Sequence, residues 1–243
     1  PFGHTGEDAL ADCMAPFGGF DHNAQTLRIV TRLERRYAGF DGMNLTWETL
    51  EGLVKHNGPL LLTDGTPTER YAATGIPAAI VEYQAKQDLW LDSYASAEAQ
   101  AAALADDIAY NAHDIDDGLR AGLFGHAELK AVPFLAELLD EIEALHPGLE
   151  TARTTNELVR RVITRFVEGV ITESQARLAK LAPTDADAIR RAGAPVIAFP
   201  VGIETADREI KAFLYPNMYR HGRIAPIRAD AAQVVRDLFS RFN

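Results

Sequence analysis

The sequence predicts an all-α fold, and three observations carry that expectation. Apolar residues recur at intervals of three and four, alanine and leucine are abundant, and a single short run at 196–201 reads as extended, with Pro200 confining it to an edge or a linker. The 243 residues, 47% hydrophobic and 24% charged, suffice to bury a sizeable core. No long linker, internal repeat or low-complexity segment divides them, so one helical domain over 1–243 is the simpler organisation, with roughly 1–145 and 152–243 as its parts.

The elements follow in order. His4 and Glu7, three apart, sit where a first helix begins, so their tips can meet on one face. The pattern at 21–37 is clearly helical. Leu27, Val30, Leu33 and Tyr37 make one face with Ile29 beside it, Arg28, Arg32, Arg35 and Arg36 lie on the others, and Asp21 or Asn23 can cap the start. Thr46 can cap a helix through Trp47, Leu50, Leu53 and Val54, which Asn57, Gly58 and Pro59 stop. The stretch 58–76 holds three glycines and two prolines among polar residues and reads as a loop. Helices are expected at 78–87, 96–122, 132–145, 152–182, 184–193, 204–219 and 228–241, with His146, Pro147 and Gly148 joining antiparallel neighbours. Pro216, inside the 204–219 pattern, predicts a kink.

Composition excludes several function classes. A net charge of −11 argues against a general nucleic-acid coat or a membrane-surface protein, so no nucleic-acid partner is indicated. No apolar run reaches about 18 residues, so no transmembrane helix is expected. The single cysteine, Cys13, rules out an intramolecular disulfide and fits a reducing compartment such as the cytoplasm. No phosphate-loop, GxGxxG, HExxH or CxxC pattern is present.

Chemistry concentrates in three places. A carboxylate beside an imidazole, as Glu7 beside His4, raises its basicity and fixes its tautomer; the same spacing also suits a solvated first helical turn. His22 follows shortly after Gly18 and Gly19. On the 96–122 helix, Asp106, Tyr110, Asp114 and Asp117 form one stripe with His113 beside it. Stacked carboxylates are tolerated on a solvated face, or in a pocket where a cation or donors compensate, and the central tyrosine favours the pocket. Near the C-terminus, Lys211 and Tyr219 are eight apart with Tyr215 between them, which can set a cation on a phosphate and a ring near a base or sugar; a terminal amphipathic helix gives the same pattern. Lys55 and His56 end their helix, where a cation also suits the negative end of the dipole.

Taken in order, these blocks resemble deoxyguanosinetriphosphate triphosphohydrolase-like proteins, a branch of the HD-domain phosphohydrolases. The opening PFGHTGEDAL is similar to the tail of that family's active-site signature, His22 stands at its next motif, and the block from Leu45 to Pro59 resembles its helix carrying a lysine toward substrate phosphates. The resemblance runs through about residue 225 and implies an HD-domain helical fold. It implies metal-dependent hydrolysis of deoxynucleoside triphosphates to deoxynucleoside and triphosphate, with water attacking the α-phosphorus. Asp106 would be one ligand of a divalent ion such as Mg or Mn, and the family's first His and its His-Asp pair are expected upstream of Pro1, without which the chain shown would be inactive. His4, oriented by Glu7, would handle protons. Lys55 and Lys211 would neutralise the phosphates, Tyr110 would stack on the sugar, Asp114 would accept from its 3′-hydroxyl, and His22 and Tyr219 would complete the substrate site. A homo-oligomer is implied as well. Two other functions fit: hydrolysis of another nucleotide, and nucleotide binding without turnover in a regulatory protein.

Overall fold

The computed structural model describes residues 2–243. The helices, in chain order, are α1 (Gly3–Met14), α2 (His22–Arg28), α3 (Trp47–Lys55), α4 (Ala78–Gln84), α5 (Ala97–Arg120), α6 (His126–Leu129), α7 (Pro133–Leu145), α8 (Thr151–Leu181), α9 (Ala186–Arg190), α10 (Val201–Leu214) and α11 (Ala225–Phe242). Among the described residues there is no strand, only isolated bridges at Tyr37–Phe40 and Leu61–Pro67. The protein is therefore all-α. None of the described helices is long and apolar enough to cross a membrane.

Local chemistry places the helix ends. Asp21 accepts from the Ala24 amide at 2.8 Å, Thr46 from Thr49 at 3.4 Å and Asp185 from Ala188 at 2.8 Å, each satisfying a donor the first turn leaves free. Pro133 opens α7, where a missing N–H costs nothing. Two helices end in wide turns. The one expected across 21–37 becomes α2 and then a π-helical turn, Ile29–Leu33, closed by the bond from the Glu34 amide to the Ile29 carbonyl. The kink expected at Pro216 is a second π-helical turn, Tyr215–Tyr219, closed from the Arg220 amide to the Tyr215 carbonyl. The short helix α6 falls where no element was expected, and 196–200 is a linker rather than a strand.

The chain separates into two compact units, and the separation does not follow the 1–145 and 152–243 parts read from sequence. The first unit holds residues up to Gln100, with Pro183–Pro195 and Pro226–Asn243; the second holds Ala101–Ala182 and Val196–Ala225. The boundary falls within α5. In the first unit, Leu27, Leu50, Val54, Leu60, Ile80 and Leu89 form the core. Gly42 is required there: its φ is +81°, and a side chain would meet the Thr31 carbonyl at 2.7 Å. In the second unit, α5, α7, α8 and α10 close over Ile115, Leu135, Ile142, Leu158 and Ile210. Phe166 of α8 is fully buried, edge-on to Phe134 at 5.4 Å and Phe199 at 5.5 Å. Burial of a ring of that size contributes on the order of 2–3 kcal/mol. Gly118 lets α5 take the Phe124 ring against its backbone, for a Cβ there would lie 2.1 Å from Cζ.

Candidate active site

In the first unit the anticipated carboxylate–imidazole pair forms, with a different histidine. Glu7 of α1 holds His22 at the start of α2, Oε1 to Nδ1 at 2.7 Å, fifteen residues apart. The pairing of Glu7 with His4 is thus replaced, because Glu7 turns toward α2 instead of along its own helix. With Nδ1–H donating its hydrogen bond to the carboxylate, Nε2 is the other ring nitrogen of His22, turned away from Glu7. His4 lies exposed one turn before Glu7.

Lys55 corrects a second expectation. It is fully buried, with 0% of its side chain exposed. Its ammonium touches Glu51 Oε2 at 2.8 Å, Ser93 Oγ at 2.9 Å and the Trp90 carbonyl at 3.1 Å. With two hydrogen bonds, an ion pair and no exposed side-chain surface, Lys55 in this arrangement has no open side for a phosphate. Glu51 also accepts from Arg190 Nε at 2.9 Å and from the Ser96 amide at 3.1 Å. Arg190 in turn lies over the Trp47 ring, 4.9 Å from its centre, and pairs with Asp187 at 2.9 Å. Burial pushes the Lys55 pKa down, with Glu51 opposing it.

The second unit brings together the residues predicted on α5 and near the C-terminus. Tyr219 donates its hydroxyl to Asp114 and is also hydrogen-bonded to Tyr110. Burial and then the bond to Asp114 raise the Tyr219 pKa, so it stays a donor. Burial likewise raises Asp114, although the bond from Tyr219 works against it. Tyr110 keeps 42% of its surface exposed, enough to present a ring face. One turn earlier, Lys211 reaches Asp107 Oδ1 at 3.1 Å and Asp207 Oδ1 at 3.0 Å. Asp207 is itself held by Asn111 Nδ2 at 2.6 Å. Burial works against the Lys211 charge, but the two carboxylates outweigh it and its pKa is raised.

Sequence reasoning missed Asp107, Asn111 and Asp207. Two i,i+4 spacings, Asp107 to Asn111 and Asp207 to Lys211, were the available signal. Asp106 is exposed on α5. Among the described residues no three His, Cys, Asp or Glu side chains gather to hold a metal. One carboxylate falls short of the oxygen set a hard divalent ion needs, so these residues do not by themselves make the implied metal site.

The fold is all-α, with acid, tyrosine and lysine side chains converging along one long helix, and residues 197–243 match the phosphohydrolase-associated domain. Over its whole length the chain is 58% identical, across 242 residues, to a deoxyguanosinetriphosphate triphosphohydrolase-like protein of Allorhizobium ampelinum, covering 59% of that relative. It is 57% identical across 244 residues to the protein of the same name from Azorhizobium caulinodans, covering 61% of it, and 53% identical across 242 to that of Rhodopseudomonas palustris, covering 60%. Across all of its own residues the chain is thus similar to deoxyguanosinetriphosphate triphosphohydrolase-like proteins. It spans about three-fifths of the length of these curated relatives.

Proposed function

We propose that the chain is the substrate-holding part of a hydrolase that cleaves deoxynucleoside triphosphates to deoxynucleoside and intact triphosphate. The observation that supports this most is that, in the second unit, the Tyr110–Tyr219–Asp114 cluster stands beside Lys211, whose partner Asp107 lies one turn before Tyr110 on α5. A sugar needs an apolar face and an acceptor for its hydroxyl; a polyphosphate needs a cation. Tyr110 offers the face, Asp114 the acceptor and Lys211 the cation. A tyrosine packed on the sugar also disfavours a 2′-hydroxyl. Water attacks the α-phosphorus as its bond to the 5′-oxygen breaks; the deoxynucleoside leaves with a proton taken up at that oxygen, and the triphosphate keeps the incoming hydroxyl, its charge shared by Lys211. In the first unit, Glu7 holds His22 through Nδ1 and leaves Nε2 as a nitrogen able to carry a proton, with His4 a neighbour on α1. Lys55 has a structural part rather than a phosphate-binding one. A divalent ion at Asp106 and a homo-oligomeric state belong to the proposal, and no step is assigned to either.

The test is product analysis. Purified protein carrying residues 1–243 together with the metal ligands that the resemblance places upstream is incubated with dGTP and Mn, and tripolyphosphate is separated by ion chromatography. The proposal expects tripolyphosphate, with kcat/KM lowered about 10-fold or more in Asp114→Asn and Tyr219→Phe. Pyrophosphate or orthophosphate as the first product would assign a different hydrolysis, and retained, uncleaved dGTP would assign a nucleotide-binding role.

A further inference from the structure

The two carboxylates that hold Lys211 are not equivalent. Asp207 lies one turn before Lys211 on α10, its side chain only 12% exposed, and Asn111 fixes it from α5 at 2.6 Å. Asp107, on α5, is 47% exposed. Asn111 itself is fully buried, and its carbonyl Oδ1 has no protein partner among the described residues. A buried amide with one orphaned atom is costly to keep, and what its other atom does here is hold Asp207 still.

We propose that Asp207, fixed by Asn111, is the positioning residue of Lys211, and that Asp107 occupies the place a substrate phosphate takes. This deepens the proposed function and rests on reading Lys211 as the phosphate-binding cation. The physics separates the two roles. An exposed ion pair is exchangeable, because water and salt screen it and its net contribution is small. A carboxylate that is nearly buried and hydrogen-bonded from behind, as Asp207 is by Asn111, is held, because moving it strands a desolvated charge. An arriving phosphate therefore displaces Asp107 and leaves the ammonium anchored on Asp207. The same carboxylate that is displaced also competes, so Asp107 sets how strongly a bare anion is held, and Asp207 sets where the cation stands.

The consequence has opposite signs for two substitutions that remove the same charge. Asp107→Asn removes the competitor and tightens anion binding about threefold. Asp207→Asn removes the anchor and weakens it about 10-fold. Simple loss of a nearby negative charge would tighten both.

The measurement is calorimetric titration of the 243-residue chain with inorganic tripolyphosphate in EDTA, so that only protein cations report. Each substitution is also made in Lys211→Met, where neither is expected to change Kd by more than about 1.5-fold, since the coupling requires Lys211. Asp207→Glu is expected to recover most of the wild-type affinity, and Asn111→Ala, which keeps the carboxylate but frees it, to lose about threefold. Circular dichroism checks folding, and the Asp207→Glu and Asn111→Ala pair decides the question if Asp207→Asn does not fold. Equal tightening by both Asp→Asn substitutions, or no change in either, overturns the inference while leaving Lys211 as the phosphate cation. Failure of the unsubstituted chain to bind tripolyphosphate at all overturns both.

Discussion

Two lysines with nearly the same local sequence logic end in opposite physical states. Lys55 and Lys211 each sit one turn after an acid on the same helix, Glu51 and Asp207. Lys55 is completely enclosed with three acceptors, beneath Trp47 and beside a second cation, Arg190. Lys211 keeps 42% of its side chain in solvent and is held by two carboxylates, so one of its three donors is left over. An i,i+4 acid supplies a partner but says nothing about depth. Depth comes from what the rest of the unit lays on top, and depth decides whether a cation is a staple or a hand.

The contrast breaks most sharply at Glu51. This carboxylate is shared by Lys55 and Arg190, both nearly buried, so Glu51→Ala strands the Lys55 charge and leaves Arg190 only Asp187. The expected loss is about 3–5 kcal/mol, read from urea denaturation. Lys55→Met is expected to cost less, because Glu51 keeps Arg190. A larger loss for Lys55→Met would reverse the order of importance inside the cluster. Next in size is Lys211→Met. Its pair is half-exposed and Asp207 keeps Asn111, so stability is expected to fall by only about 1–2 kcal/mol, while binding of tripolyphosphate is expected to fall about 10-fold. A loss as large as that for Glu51→Ala would make Lys211 a structural lysine too.

The smallest expected effect is in pH. Burial raises the Asp114 pKa above its ordinary 3.8, despite the bond from Tyr219 and the nearby His113, with Asp117 adding to the rise. The folded state then holds the Asp114 proton more tightly than the unfolded chain. Stability from this source is full below 3.8 and is lost as pH rises through the raised folded value. The Tm advantage of wild type over Asp114→Asn is expected to shrink as pH rises from about 4, on the linkage slope. An advantage growing with pH would mean the carboxylate is held charged, and that the tyrosine cluster is as well compensated as Glu51.

Much of this was legible in the chain itself. Caps at Asp21 and Thr46 are read from residue type and position, because a short side-chain oxygen before an apolar run has one obvious use. The long helices follow from their period. What could not be read is contact across sequence. Glu51 meets Arg190 across 139 residues, and Glu7 meets His22 where its own helix offered His4. Helical spacing lists which side chains share a face, and tertiary packing chooses among them. The same limit explains Lys55: its position at a helix end suits a dipole or a ligand equally, and only the ring of Trp47, Trp90 and Ser93 around it decides.

The π-helical turn at Tyr215–Tyr219 has a consequence for chain length. In an α-helix, eight residues overshoot two full revolutions by about 80°, so Lys211 and Tyr219 would point to different sides. A turn that takes up more residues per revolution reduces that overshoot. Both side chains then meet acids of α5, Lys211 at Asp107 and Tyr219 at Asp114. Here length acts as an angle. Residues within the turn can be exchanged for others, but one added or removed swings Tyr219 about the axis by roughly 100°, the rotation of a single helical residue. Two parts of the site are thus kept in phase by a count of residues, independent of their chemistry.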